Sequence, residues 1–245
     1  MVLFSADLTV IQDSIIKVGD KISRDFVELE NLQNSYKGSA KFTELIVDFV
    51  KKRLYEYLKS KKPSYDILFS DEVNEENKGC NFRYLINAVC GKVNLMHAIP
   101  YFCISIALQK KDKEGKFQTI CGLIDNPITQ ETFMVEQGKG AYVNTRRIRV
   151  SSRNDINTSL IVIKNTDNKD FLIKNIKKFK NINITNCDIL NICNVANGKY
   201  DATIIEKNNI FLELPILLLK EAGGLVKTNE NQELILSNDL LYSQL

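Results

Sequence analysis

The sequence predicts a layered α/β fold, and three features of its apolar pattern carry that expectation. Two long segments near the start repeat apolar residues at helical spacing. A series of short β-type runs follows, and beyond about Val150 strands and helices alternate. Helices first, then a mostly antiparallel sheet, then an alternating half is the order expected of stacked helix and sheet layers. The division falls at an N-terminal α+β half, residues 1–150, and a C-terminal α/β half, residues 151–245.

From about Ser5 to Leu32, Val10, Ile11, Ile15, Ile16, Ile22, Phe26 and Val27 recur at i, i+3 and i+4 intervals, with Ser5 as N-cap. The second helix has a cleaner stripe, Phe42, Leu45, Ile46, Phe49, Val50, Leu54, Tyr57 and Leu58, closed by Lys61-Lys62-Pro63. Strands are expected at Asp66 to Ser70, Arg83 to Val89 and Glu131 to Gln137. A hairpin of Tyr101 to Lys110 with Phe117 to Asp125 turns through Lys111 to Lys116. The second half reads as strand Ser159 to Lys164, basic helix Asp170 to Lys178, strand Asn181 to Thr185, helix Leu190 to Ala196 and strand Asp201 to Glu206. A last helix is expected to start near Pro215, its start delayed by that proline, and to stop at Gly223-Gly224.

At 245 residues with 44% hydrophobic side chains, the chain is large enough for one sizeable core or two tightly joined subdomains. A net charge of +3 is too small to argue for nucleic-acid binding by itself. The six cysteines, Cys80, Cys90, Cys103, Cys121, Cys187 and Cys193, show no C-x-x-C pair and no metal-ligand spacing, so buried free thiols in a reducing compartment are expected. No apolar window reaches the roughly 18–20 residues of a membrane span, and the start lacks a leader pattern. A soluble cytoplasmic protein with no membrane partner is the expectation.

The segment Tyr84-Leu85-Ile86-Asn87-Ala88-Val89-Cys90-Gly91-Lys92-Val93-Asn94-Leu95 has the outline of a metal-dependent phosphatase signature, W-x-I-D-P-[IL]-D-G-T-x-N-F. Further elements follow in order: Gly122 to Pro127 with Glu131-Thr132-Phe133; Gly138-Lys139-Gly140-Ala141-Tyr142-Val143-Asn144 before Ile148-Arg149-Val150-Ser151; Val195-Ala196-Asn197-Gly198-Lys199-Tyr200-Asp201; and Glu221-Ala222-Gly223-Gly224. Taken together over roughly residues 35 to 228, they resemble the inositol monophosphatase family, particularly its bacterial extragenic-suppressor branch. The resemblance implies an inositol-monophosphatase/fructose-bisphosphatase-like α/β/α/β/α sandwich, a homodimer, and Mg²⁺-dependent hydrolysis of a phosphate monoester.

The same resemblance places the pocket at Asp71, Glu72, Asn87, Val89, Cys90, Gly91, Lys92, Asp188 and Phe211. Mg²⁺ needs a shell of hard oxygen donors and carboxylates to offset its charge. The two signature aspartates fall on Asn87 and Cys90, an uncharged amide and a soft thiol. A third acid's place is taken by Phe211, and the family's catalytic threonine by Lys92. Asp71 is the best remaining metal ligand, the metal site is expected to be lost, and no cofactor is expected. Lys92 completes an anion site with backbone N–H groups at a helix start, neutralises Asp71, or points into solvent.

Three function classes remain open. The first is a catalytically degenerate homologue with a regulatory, scaffolding or anion-binding role, accepting a phosphate-containing small molecule. The second is an active Mg²⁺-dependent phosphate monoesterase using Asp71, Glu72 and the carbonyls of Asn87 and Val89. The third is a module for RNA or the transcription machinery, working through the basic runs Arg146 to Arg149 and Lys174 to Lys180. His97, the single histidine, is expected to be a structural loop residue, which leaves no Ser-His-Asp triad. Cys90 lacks a nearby base and the C-x₅-R loop of a cysteine phosphatase, which argues against a nucleophile there.

Overall fold

A computed structural model of the chain describes residues 4–72, 79–206 and 209–245. Helix α1, Ala6–Asn31, is capped by the Ser5 hydroxyl, which accepts a hydrogen bond from the Leu8 N–H. Helix α2, Tyr36–Lys61, is capped in the same way by Ser35 and lies against α1. A seven-stranded sheet follows in chain order: β1 Asp66–Phe69, β2 Phe82–Cys90, β3 Cys103–Lys111, β4 Phe117–Asn126, β5 Glu131–Glu136, β6 Gly140–Val143 and β7 Arg146–Arg147. All neighbours in it are antiparallel except β1 with β2. Between β2 and β3 stands the short helix α3, Lys92–Met96.

The second half contains β8 Leu160–Lys164, α4 Lys169–Lys178, β9 Asn181–Thr185, α5 Asp188–Ala196, β10 Ala202–Ile205, α6 Glu213–Glu221, β11 Leu225–Thr228 and β12 Leu234–Ser237. Its five strands form a second sheet in the order β11-β12-β10-β8-β9, parallel through β10, β8 and β9.

Alternation along the strands sorts the side chains into three cores and gives five layers. Tyr84, Ile86, Ile104, Ile106 and Leu123 pack beneath α1 and α2 with Ile11, Val18, Val50 and Leu54. Leu85, Ala107 and Ile124 point the other way, into a central core with Ile192, Val195, Leu214 and Leu218 of α5 and α6. Val162 faces that core, whereas Ile161 and Ile163 face Phe171 of α4 on the far side of the second sheet. Each fully buried Leu or Ile contributes about 1.5–3 kcal/mol of transfer free energy, offset by the entropy of ordering the chain. The order is therefore helices, sheet, helices, sheet, helix.

The last helix departs from expectation. It begins at Glu213, after a 3-10 turn Ile210–Leu212, so Pro215 lies inside the first turn and does not delay it. An N–H missing there costs no intrahelical bond, because the first-turn donors have no helical acceptor. The short strands β6, β7, β11 and β12 add to the elements expected from the sequence.

Candidate functional site

Strand β2 ends at Cys90, and Gly91 then turns the chain into α3 with φ +87°. A side chain at 91 would place its Cβ 2.9 Å from the Tyr101 carbonyl oxygen and 3.2 Å from the Cys187 Cβ. Only glycine combines this left-handed backbone with that close approach. The turn opens a cleft of about 640 Å³ between the end of β2, the start of α5 and the 3-10 turn before α6.

Asn87, Val89, Cys90, Gly91, Lys92, Asp188 and Phe211 all line this cleft, together with Ser70 and Lys164. Asp71 and Glu72 follow Ser70 but are turned to Lys51 of α2, whose ammonium lies 2.7 Å from Asp71 Oδ1 and 2.8 Å from Glu72 Oε1. Burial draws the Lys51 pKa down, but the two carboxylates overcome this and hold it above its ordinary value.

Lys92 does not neutralise Asp71. Its ammonium lies 2.6 Å from the Glu44 carboxylate on α2 and donates to it. Helix α3 has only five residues, too short for a strong end dipole, so the expected anion site on its N-terminus has little to work with.

On the opposite wall Asp188 Oδ2 lies 3.4 Å from Lys164 Nζ, and Asp188 Oδ1 accepts from the Cys90 thiol at 3.5 Å. Burial and then the neighbouring Cys90 push the Asp188 pKa up to about 6, against the pull of Lys164. The Cys103 thiol draws the Cys90 pKa down, but Cys187 and burial together leave it well above the usual thiol range.

Sequence spacing gave no sign of Lys51, Lys164 or Cys103 in this region, whereas Cys187 directly precedes the expected pocket residue Asp188. They come from distant segments and meet only through the fold. A wider polar network also joins α3 and the segment before β3 to α5: Tyr101 donates to Asn191 Oδ1 at 2.9 Å, Asn194 donates to the Tyr101 hydroxyl at 3.2 Å, and Asn94 donates to the Tyr101 carbonyl at 2.6 Å. His97 caps the C-terminal end of α3 through its backbone, as a structural loop residue would.

The sequence model of the inositol monophosphatase family matches residues 6–244. This chain belongs to the inositol monophosphatase family. An inositol-1-monophosphatase of Rhizobium meliloti is 33% identical over 159 residues, a match covering 64% of this chain and 57% of that protein, so just over half of the relative's length is spanned. An inositol-1-monophosphatase of Mesorhizobium japonicum is 29% identical, with 96% of this chain and 90% of that one covered. A Nus factor SuhB of Pasteurella multocida is 24% identical over 86% and 80% of the two chains. The crystal structure of the extragenic suppressor protein suhB from Bartonella henselae superposes with a TM-score of 0.82 at 24% identity, over 98% and 97% of the chains. That likeness shows the shared α/β fold.

The family implies Mg²⁺, and the residues here can be tested against that ion. A hard divalent cation requires several oxygen donors, mostly carboxylate, in near-octahedral array. Positions 87, 90 and 211 supply an amide, a thiol and a phenyl ring. Asp71 and Glu72 are engaged by Lys51, and Asp188, the carboxylate in the cleft lining, faces Lys164 and the Cys90 sulfur. Among the described residues, this donor set does not fit a Mg²⁺ cluster.

Proposed function

We propose that this chain is a non-hydrolytic inositol-monophosphatase homologue with a regulatory or scaffolding role, working as a cytoplasmic homodimer of two-subdomain protomers divided near residue 150. The observation that carries this reading is the Lys51 clamp on Asp71 and Glu72, combined with uncharged residues at 87, 90 and 211. Among the described residues no carboxylate cluster is free to hold the ions that would stabilise a leaving oxygen and activate water. No metal cofactor is part of this reading. A phosphate-bearing ligand would have to draw Lys92 from Glu44 or Lys164 from Asp188, so anion binding is weak in it.

The competing reading is an active Mg²⁺-dependent phosphate monoesterase, supported by the relatives that bear that name. Calorimetric titration with Mg²⁺ and Mn²⁺, followed by assay on inositol 1-phosphate and a generic phosphate ester, separates the two. No saturable binding and no metal-dependent turnover are expected. Turnover that Asp71→Ala abolishes would establish the enzyme instead.

A second reading, a partner of the transcription machinery or RNA, is supported by the Nus factor relative and by the exposed Arg146 and Arg147. Arg146 is anchored through Asn197 at 2.8 Å, leaving Arg147 on the same short strand as the other cation. RNA retention that falls steeply with salt and weakens in an Arg146/Arg147 double-alanine variant would favour it.

A further inference from the structure

We infer that Cys90, Cys103 and Cys187 form a binding site for a thiophilic cation of the Zn²⁺ type at the floor of the cleft, with Asp188 beside it. The three sulfurs come from the end of β2, the start of β3 and the residue that caps α5, and all lie within 4.8 Å of one another. Cys187 Sγ is 3.3 Å from Cys90 Sγ and 3.8 Å from Cys103 Sγ. A tetrahedral zinc with bonds of about 2.3 Å to sulfur sets its sulfurs about 3.8 Å apart. Asp188 Oδ1, 3.5 Å from Cys90 Sγ, stands beside the three-sulfur cluster and hydrogen-bonds one of its ligands, so the fourth position of the ion is left for water.

The surroundings suit the ion. All three cysteines are free and buried, so no disulfide consumes them. Cys187 stands at the N-terminus of the nine-residue helix α5. Lys164 at 3.4 Å from Asp188 offsets the negative charge of the ligand set and orients the carboxylate from outside. Cys90 and Asp188 both line the cleft, which gives a route from solvent. Thiolates select soft or borderline ions over Mg²⁺, so this site takes a different class of ion from the one its family implies. It joins the first sheet to α5 and therefore acts as a staple across the central core, whether or not the chain hydrolyses phosphate esters.

Co²⁺ provides the test, because its spectrum reports both ligand type and geometry. The full chain, stripped of metal and kept reduced with a phosphine, is titrated with Co²⁺ and then with Zn²⁺ or Mg²⁺. The expected result is one Co²⁺ per chain with sulfur-to-cobalt charge-transfer absorption and intense tetrahedral bands, displaced by Zn²⁺ and untouched by Mg²⁺. Cys103→Ala and Cys187→Ala should abolish the absorption, Cys121→Ser should retain it, and Asp188→Asn should weaken Co²⁺ binding at least about tenfold. A wild-type spectrum lacking sulfur charge transfer overturns the proposal without recourse to any variant. So does absorption that persists in Cys187→Ala.

Discussion

The Lys51 ammonium sits 2.7 Å from the Asp71 carboxylate and 5.6 Å from the centre of the Phe69 ring, so one α2 side chain covers the end of β1 and the acid beyond it. Glu72 is held by the same ammonium. Both acids are about half exposed, which limits what the ion pairs contribute to stability. Lys51→Met is therefore expected to change stability by about 1 kcal/mol or less. It should also give weak, salt-sensitive Mg²⁺ binding, where none is expected in wild type by calorimetry. Hydrolysis should not appear with it, since residues 87, 90 and 211 would still bring no carboxylate. Phosphate release by the Lys51→Met protein would show that the clamp alone silences the site.

Gly122 lies where Leu214 of α6 packs onto the first sheet. A Cβ built there would lie 2.4 Å from the Ile106 carbonyl oxygen and 2.5 Å from Leu214 Cδ1. The backbone oxygen belongs to the paired strand β3 and cannot retreat without breaking the ladder. Gly122→Ala should cost about 1–3 kcal/mol through overpacking, and more if the ladder yields. Urea denaturation reads the loss directly, and Gly19→Ala in α1, where a Cβ meets nothing within 4 Å and the backbone is not left-handed, serves as the comparison for generic glycine replacement.

The helices and most strands were legible from their apolar pattern. The stripe from Phe42 to Leu58 follows the one face of α2 that packs on α1 and the sheet, and β2 reads as a short apolar run because Tyr84 and Ile86 are buried on one face and Leu85 on the other. Strands β11 and β12 were not, because β11 offers only exposed and half-buried positions and β12 is a short, fully buried run without alternation. In the site, the motif frame located the cleft, since Gly91 must turn β2 into α3 whatever side chains surround it. The pairings inside it were beyond a linear reading. Lys51 meets Asp71 across 20 residues, Lys92 meets Glu44 across 48, and Cys187 meets Cys90 across 97, each through packing of separate layers.

Glu221 explains why two glycine-rich elements far apart in sequence belong together. Its carboxylate accepts from the Gly138 N–H at 2.7 Å and from the Gly140 N–H at 2.8 Å, fastening the β5–β6 turn to the end of α6. Charge-assisted bonds of this kind are worth more than neutral ones. Glu221→Ala should destabilise by about 2 kcal/mol, and Glu221→Gln, which keeps one acceptor oxygen, by about 1 kcal/mol. Amide exchange at Gly138 and Gly140 should accelerate in both variants. Unchanged exchange there would mean that the turn is held by its own backbone.

Asp125 gives the fold a pH dependence whose sign can be worked out. It is buried at the end of β4, opposite Thr132 of β5, whose hydroxyl donates to Asp125 Oδ1 at 2.6 Å. Burial raises its pKa above the ordinary carboxylate value, and the Thr132 hydroxyl opposes this only in part. The native state thus holds the Asp125 proton more tightly than the unfolded chain, whose value is about 3.9. Between the unfolded and native values the native state binds more protons, so stability falls with rising pH. The favourable contribution is complete below about pH 3.9 and is lost as pH climbs through the native value. Asp125→Asn retains an acceptor for the Thr132 hydroxyl and never ionises. It should be at least as stable as wild type at pH 7, with the difference shrinking towards pH 4 in urea denaturation curves. A variant that loses stability relative to wild type as pH rises would mean that the Asp125 carboxylate is stabilised in its charged form, reversing the sign.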